Sequence, residues 1–250
     1  MASLTSSSLS LPKHLASGIW QKATTGSTVA ALSGAEPMLF GETQLMTFTQ
    51  QPKAQFVAEG GTKSGSDVAF SSKTVVPRKA QVTLRFNQEV QWADEDYQLG
   101  VLSTLADATA GALSRALDLG IYHAVNPLDG KALSGSPAKV LDTTNSVEID
   151  TADADMDFET AAGLVIADGY VPTGVALDPS HAWTLATARY TDGRKKFPDL
   201  GRGTNITSFQ GLNASVSSTV SAPEATVSGG AYATTNPNVK AIIGDFSQIR

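Results

Sequence analysis

The sequence predicts an α+β fold, and three features of the chain indicate it. A long helix is predicted over residues 94–123, where apolar side chains recur at intervals of three, four and seven. Apolar and polar side chains alternate over 82–86, the period of two that is typical of a half-buried strand. Apolar runs at 175–177 and 239–246 are typical of buried strands. The predicted packed face of the long helix consists of Leu99, Leu102, Ala106, Leu113, Leu117 and Ile121.

The sequence of the N-terminal part of the chain predicts an arm followed by a hairpin. Residues 1–50 are rich in Ser, Thr, Ala and Gly, which predicts an extended arm with one short helix near 11–20. The hairpin begins with a strand at 55–59, the chain resumes as Val68-Ala69-Phe70 after a Gly/Ser-rich tip, and an alternating strand follows at 82–86. Pro77 restricts the return limb to an edge or a break. Because a two-stranded ribbon is marginal in water by itself, we expect it to lie on its own body or on a neighbouring subunit.

The remainder of the chain predicts short strands mixed with helices. Acidic residues just before 158–169 favour a helix there, since negative charge is stabilising at the N-terminus of a helix. Asp178 and Pro179 are typical of a helix start, and this second helix is predicted to extend to Tyr190. Further strands are expected within 139–149 and 212–220, and a loop is expected at 194–205.

The composition favours a protein that assembles. The chain has 250 residues and a net charge of −6, and charged residues make up 17% of it. Soluble domains contain about 25% charged residues, so much of this surface is uncharged, which favours association. An ordinary domain with few surface charges fits the composition equally well. The acidic balance argues against sequence-specific nucleic-acid binding, which needs Lys and Arg to neutralise phosphates.

Cysteine content and apolar runs limit the chemistry and the location. The chain contains no cysteine, which excludes disulfides, Cys-ligated zinc and thiol nucleophiles. The first residues lack the basic and apolar regions of a secretory signal. No run of about 20 apolar residues, the length that spans a membrane, occurs. We therefore expect a soluble protein made in a cytoplasm.

Four groups of residues carry the side-chain types of known functional sites. Two of them are a possible calcium loop at Asp150, Asp153, Asp155 and Asp157 and a possible catalytic triad at Asp178, Ser180 and His181. The other two are the histidines His14, His123 and His181 and a possible phosphate loop at Gly201, Arg202, Gly203, Thr204 and Asn205.

Each group has a simpler structural explanation. An EF-hand loop needs Gly at its sixth position and Glu at its twelfth, where a loop starting at Asp153 has Phe158 and Leu164. Triad residues so close in sequence rarely face one another, so a turn and a helix cap are favoured. The histidines lack ligand spacing, and the glycine-rich loop lacks the Lys-Ser/Thr end. We predict that the protein is not an enzyme and has no metal or cofactor site.

Three stretches, in order, resemble the tailed-phage major capsid proteins that share the Johnson fold. The first comprises 54–61, 66–70 and 75–80, which are similar to the E-loop of that family. The second is Val175-Ala176-Leu177-Asp178-Pro179 with Trp183, Leu185, Asp192-Gly193 and Leu200, similar to the A-domain. The third is Ala241-Ile242-Ile243-Gly244-Asp245-Phe246-Ser247, which resembles the strand that returns to the P-domain. The sequence ends three residues later, whereas the family continues with further P-domain strands.

The resemblance implies a division of the chain into five parts. These are an N-terminal arm at 1–50, an extended E-loop hairpin at 51–86, a P-domain with a long spine helix at 87–150, an A-domain at 151–225 and a returning P-domain strand at 226–250. The E-loop would lie over an adjacent subunit, and the A-domain would meet its copies around each capsomer axis.

The resemblance also implies intersubunit contacts on the E-loop and on the basic loop of the A-domain. The candidate interface residues are Phe56, Glu59, Gly60, Gly61, Lys63, Phe70, Arg194, Lys195, Lys196 and Arg202. Some relatives crosslink an E-loop lysine to an asparagine of a neighbour. Lys63 and Lys73 are candidates by location only, and no motif identifies the partner asparagine.

The function implied by the resemblance is that of a structural major capsid protein. Such a protein self-assembles into the hexamers and pentamers of an icosahedral head around the double-stranded DNA of a tailed phage. Its expected partners are its own copies and portal, scaffold and decoration proteins, with only non-specific contact to packaged DNA and no membrane. Its expected location is the virion, after assembly in the host bacterial cytoplasm. The alternatives are an encapsulin-like compartment shell, a secreted β-rich adhesion module and a hydrolase.

Overall fold

The computed structural model describes most of the chain and divides it into two compact units. The described residues are 26–34, 43–50, 52–62, 64–75, 77–84, 95–135, 138–149, 154–198, 200, 206–222, 226–227, 230–231 and 239–249. Glu36–Lys79 forms the smaller unit, here called the hairpin unit, and the rest of the chain forms the larger one, here called the body. The predicted helix near 11–20 lies outside the described residues.

The elements of the described chain confirm the α+β class. Its helices are α1 (Thr28–Leu32), α2 (Glu95–Tyr122), α3 (Ala154–Ala167) and α4 (Pro179–Thr187). Its strands are β1 (Thr43–Gln50), β2 (Ala69–Val75), β3 (Gly174–Leu177), β4 (Ser208–Phe209), β5 (Leu212–Val216), β6 (Thr226–Val227), β7 (Gly230–Ala231) and β8 (Ala241–Gly244). Short 3-10 helices occur at Val140–Asp142 and Phe246–Gln248.

A mixed four-stranded sheet in the order β4-β5-β3-β8 lies at the centre of the body. Strand β3 runs parallel to β5 and antiparallel to β8, and all four of its residues are buried. Successive side chains of a strand face opposite sides. Val175 and Leu177 therefore pack in one cluster with Leu185 of α4, whereas Ala176 packs in another with Val29 of α1 and Tyr122 of α2. The sheet is thus covered on both faces.

The long helix α2 confirms the prediction for 94–123 in extent but not in its packed face. Its 28 residues span about 42 Å at ~1.5 Å per residue. The buried residues of α2 are Ala110, Ser114, Asp118, Leu119 and Tyr122. Leu117, on the predicted face, is exposed, and Leu113 is only half-buried. The predicted face was wrong at these positions because Asp118 turns inward to make buried hydrogen bonds with other elements, although Ile121 of the predicted face packs against the core.

Several other elements of the body agree with the sequence, whereas α1 lies where an arm is predicted, and β4, β6 and β7 are not predicted. Helix α4 and strands β3, β5 and β8 lie where they are predicted, although α4 ends at Thr187 and β5 at Val216. Helix α3 begins four residues earlier than predicted. The strands predicted within 139–149 are wrong, because this stretch forms one 3-10 turn and then an unpaired segment.

The hairpin exists, and β2 includes Ala69 and Phe70, where the sequence predicts that the chain resumes, but no paired strand lies at the predicted 55–59 or 82–86 within the described residues. Strands β1 and β2 pair antiparallel from Thr43 opposite Val75 to Gln50 opposite Ala69. Residues 55–58 and 81–84 carry no strand pairing, so the strand predictions at 55–59 and 82–86 are wrong in the described residues. Strand β1 was missed because Leu45 and Met46 are adjacent, which breaks the apolar–polar alternation. Strand β2 ends at Val75, two residues before Pro77, as expected for a residue that donates no ladder hydrogen bond.

Candidate functional site

One face of the paired strands in the hairpin unit carries exposed apolar side chains. Residues that are directly opposite in the register share a face, as do residues two apart on one strand. Phe70 lies opposite Phe48, two residues from Met46, so Met46 and Phe70 belong to the same face. Met46 is 73% exposed and Phe70 is 57% exposed. This face, defined by Met46 and Phe70, is here called the ribbon face.

The tip of the hairpin unit is a tight turn surrounded by exposed residues. The Gly61 N–H donates to the Ala58 carbonyl at 2.9 Å, and Gly60 has a φ of 80°, as a type II turn requires. A Cβ atom at Gly61 would lie 2.8 Å from Val57 Cγ1. Phe56 is fully solvent-exposed at this tip, and Glu59 is exposed. The described candidate residues of the hairpin, Phe56, Glu59, Gly60, Gly61 and Phe70, therefore lie on the surface of this unit.

The basic loop of the body is a structured turn. Arg194 pairs with Asp192 at 2.6 Å, and Gly193 adopts a positive φ of 84°. The hydrogen bonds from Arg194 hold the pKa of the Asp192 carboxyl below its ordinary value. Lys196 Nζ lies 3.3 Å from Asp155 of α3 and 5.7 Å from the centre of the Tyr190 ring. The turn is thereby fixed at the beginning of α3, while the Arg194 side chain stays 83% exposed.

Some predicted site residues lie outside the described chain. These are Lys63, His14, Asp150, Asp153 and the whole possible phosphate loop at 201–205, which includes Arg202. Lys73 lies on β2 opposite Leu45 of β1. Asp155 and Asp157 occupy the first turn of α3, which is the structural explanation favoured for that acidic group.

The residues considered for a catalytic triad form a helix cap. Asp178 is the N-cap of α4 and accepts a hydrogen bond from the Ser180 N–H at 2.8 Å. The hydroxyls of Ser180 and Ser221 also donate to its carboxylate. Burial raises the pKa of Asp178, but these hydrogen bonds outweigh it and the pKa lies below its ordinary value. Burial lowers the pKa of the adjacent His181.

Sequence reasoning missed a buried polar cluster at the carboxylate of Asp118, which is 1% exposed. Oδ1 accepts from the Ser27 hydroxyl and from the Val29 N–H at 3.2 Å. Oδ2 accepts from the Thr28 N–H and hydroxyl at 3.1 and 3.0 Å and from the Thr219 hydroxyl at 2.8 Å. This side chain thus fixes the first turn of α1 and the turn after β5 to the long helix.

The hydroxyl of Tyr122 extends this cluster. The Thr28 hydroxyl has one hydrogen, which it donates to Asp118, so the Tyr122 hydroxyl donates to Thr28 Oγ1 at 2.9 Å. Burial raises the pKa of Tyr122 above its ordinary value, so the phenol keeps the proton that this bond needs. Because these contacts join residues some 90 positions apart, no local sequence pattern could have indicated them.

His123 ties the same end of α2 to the turn after β5. Its Nε2 lies 3.0 Å from the Thr219 carbonyl and 3.2 Å from that of Val220, so Nε2–H donates to them. Burial lowers the pKa of His123, although these two carbonyls oppose the shift. The imidazole is therefore held in its neutral form.

Two properties of the described residues bear on other classes of function. No group of three or more His, Asp or Glu side chains in the described ranges is placed to hold a metal ion. Among the helices of the described chain, none combines the length and the apolar character needed to cross a membrane.

Comparison with known proteins finds phage structures. No protein-family model matches the chain, and no curated protein matches it. A solved chain of Mycobacterium phage Ogopogo is 52% identical with a TM-score of 0.77, over 98% of this chain and 82% of that one. A chain of Gordonia phage Cozz is 27% identical with a TM-score of 0.66, over 88% and 69%. A chain of Microbacterium phage Oxtober96 shares the fold at 18% identity and a TM-score of 0.59, over 99% and 76%.

Proposed function

We propose that this chain, which belongs to the same family of actinobacterial phage proteins as the Mycobacterium phage Ogopogo chain, is a major capsid protein. In this proposal the protein has the Johnson fold and is a structural subunit rather than an enzyme. Its copies form the hexamers and pentamers of an icosahedral head around double-stranded DNA. It assembles in the bacterial cytoplasm with portal and scaffold proteins and resides in the virion.

The ribbon face supports this proposal most directly. A two-stranded ribbon is marginally stable in water unless it packs on something. Within the described residues the strands β1 and β2 form a two-stranded sheet of their own, and Met46 and Phe70 on the ribbon face are largely exposed. Exposed apolar patches on a soluble protein mark interaction sites. A neighbouring subunit that covers this face would bury Met46 and Phe70 and stabilise the ribbon.

The tip of the hairpin unit is suited to the same role. The Lys53 N–H donates to Ser66 Oγ at 2.8 Å, and the Ser64 hydroxyl donates to Gln55 Oε1, so the two limbs are tied together beyond the paired strands. The connection nevertheless consists of single hydrogen bonds between exposed residues, with fully exposed Phe56 between them. Such a segment can adjust to the surface of a neighbour without unfolding the body.

Electron microscopy of the purified full chain tests the proposal. We expect closed shells, or rings of five and six subunits, in negative stain. The variant Met46→Ser/Phe70→Ser should remain folded by circular dichroism but lose the shells, because both side chains are already exposed in the subunit. Leu128→Ser is the matched control, since Leu128 is an 84% exposed apolar residue of the body outside the ribbon face.

One result would contradict the capsid function, and another would contradict only the role of the ribbon face. A monomer that persists at high concentration, without rings or shells, would remove the capsid function. Normal shells from Met46→Ser/Phe70→Ser would show that the ribbon face is not an intersubunit surface, even if the protein is a shell subunit.

A further inference from the structure

The C-terminal end of helix α3 exposes a second apolar surface, on the body. Ile166, Tyr170 and Val171 are 60%, 52% and 72% exposed. No residue of α3 is fully buried, and Gly169 turns the chain out of the helix with a φ of 86°. Asp168 lies among these side chains and is exposed. We name the set Ile166, Asp168, Tyr170 and Val171 the apolar–acidic end.

The electrostatics of the apolar–acidic end favour a cationic partner. A helix C-terminus carries partial negative charge that Lys or Arg in the last turn normally compensates, and α3 has no basic residue there. The Asp168 carboxylate adds a full negative charge, and it accepts a hydrogen bond from the neutral amide of Asn145 at 2.6 Å. This surface therefore combines apolar contact area with negative charge.

A surface with aromatic and basic side chains lies near the N-terminal end of α3. Tyr190 is 50% exposed, and its N–H donates to the carbonyl of Arg194. Arg194 pairs with Asp192, but its side chain stays 83% exposed, and Lys195 follows it. Aromatic residues and Arg are the types enriched in the cores of protein interfaces. We name the set Tyr190, Arg194 and Lys195 the aromatic–basic turn.

The helix itself separates the two surfaces. The contact between Lys196 and Asp155 fixes the aromatic–basic turn at the first turn of α3. Ile166 lies about 16 Å further along the helix, at ~1.5 Å per residue. One copy of the chain therefore carries complementary surfaces at different positions on the same body.

We propose that the apolar–acidic end of one copy docks on the aromatic–basic turn of the next copy, head to tail. The inference rests on the proposed function and names a contact within the assembly. Pairing of the apolar–acidic end with itself would bring two Asp168 carboxylates and two helix C-termini together, which is repulsive. Contact between two different surfaces of the same chain closes a ring when the rotation permits. Arg194 would lie against Asp168 and the last carbonyls of α3.

A charge exchange tests this contact in the full chain. Asp168→Arg and Arg194→Asp each place like charges across the contact, whereas the double variant Asp168→Arg/Arg194→Asp restores opposite charges in reversed order. We expect each single variant to raise the protein concentration needed for assembly by about tenfold or more, the effect of ~1.4 kcal/mol per contact. The double variant should bring that concentration most of the way back to the wild-type value. Sedimentation velocity over a concentration series measures both effects.

The control variant is Glu159→Arg, which makes the same type of charge reversal at an exposed position of α3 outside both surfaces. It should assemble like the wild type. A double variant that assembles no better than the single variants, or single variants that assemble normally, would overturn the proposed contact. If the wild-type chain forms no assemblies, the proposed function fails instead, so the two failures are distinguishable.

Discussion

Asp118 of the long helix accepts hydrogen bonds from both the main-chain N–H and the hydroxyl of Thr28, at 3.1 and 3.0 Å. Val29 and Leu32, in the same short helix, pack with Tyr122 and Phe246 in the core of the body. Residues 26–34 are therefore a built-in part of the body, although the sequence predicts an arm over all of 1–50. The short helix α1 has too few residues to be stable alone, so its contacts with α2 and the sheet must hold it.

Replacing Asp118 by Ala should strongly destabilise the body. The change leaves the buried donors of Ser27, Thr28 and Thr219 without their acceptor. Each unsatisfied buried donor costs about 1–3 kcal/mol, and relaxation limits the sum, so we expect the free energy of unfolding to fall by about 3 kcal/mol. Urea unfolding followed by circular dichroism measures it. Asp129→Ala, at an exposed turn, should unfold like the wild type.

A stability loss too small to measure in Asp118→Ala would show that the cluster does not hold α1. Asp118→Asn gives a graded version of the test, because an amide offers one acceptor oxygen where the carboxylate offers two. Its stability should lie between those of Asp118→Ala and the wild type.

Strand β3 needs a glycine at position 174 because α1 and the C-terminal 3-10 turn approach it closely. A Cβ atom at Gly174 would lie 3.1 Å from Phe246 Cδ2 and 3.2 Å from Leu32 Cδ2. We therefore expect Gly174→Ala to destabilise the body by about 1–3 kcal/mol, the usual cost of overpacking. Thermal unfolding measures the change.

Gly244 is the matched control for this prediction. It lies directly opposite Gly174 in the register of β3 and β8, and a Cβ atom there would meet nothing within 4 Å. Gly244→Ala should leave stability unchanged or raise it slightly, because alanine restricts the unfolded chain. Equal decreases in stability for Gly174→Ala and Gly244→Ala would contradict the steric explanation.

The buried histidines should make stability fall on mild acidification. Burial lowers the pKa of His123 in the folded chain below the value of about 6.5 that it has when unfolded. Below pH 6.5 the unfolded chain therefore binds more protons than the folded one, so the free energy of unfolding decreases as the pH falls through the folded pKa. His181 acts in the same direction, since burial lowers its pKa too.

Urea midpoints at pH 7.5 and pH 5.5 test this pH dependence. We expect a lower midpoint at pH 5.5 in the wild type. His123→Gln should be less stable at pH 7.5 but should show a smaller difference between the two pH values, and His123→Gln/His181→Gln a smaller one still. An unchanged difference in the double variant would assign the pH dependence to other groups.

The sequence could predict the elements that depend on local signals. The helix over 94–123, the cap at Asp178 and the buried strand at 175–177 are each set by side chains a few residues apart, and the structure confirms them. Strand pairing depends on partners farther away, which is why the hairpin was predicted with the wrong strands. The apolar–acidic end was missed because Ile166 and Val171 look like core residues in a sequence.

The packed face of the long helix also depends on contacts with residues far away in the sequence. Leu117 and Leu119 are two positions apart on α2, so they lie on different sides of it. The apolar repeat favours Leu117 as the core residue, yet Leu119 is fully buried against Val125 and Ala222, whereas Leu117 is 40% exposed. The buried hydrogen bonds of Asp118 hold its face of the helix against the core. The face that packs therefore differs from the one that the apolar repeat predicts.

Leu119→Ala should therefore destabilise the body by about 2–5 kcal/mol, the cost of a cavity at a buried leucine. Leu117→Ala should change the free energy of unfolding by about 0.5 kcal/mol or less, as is usual at the surface. Leucine and alanine have similar helix propensities, so the pair isolates burial from helix formation, and urea unfolding of both variants measures it. If the free energy of unfolding falls more in Leu117→Ala than in Leu119→Ala, the packed face is the one that the apolar repeat predicts.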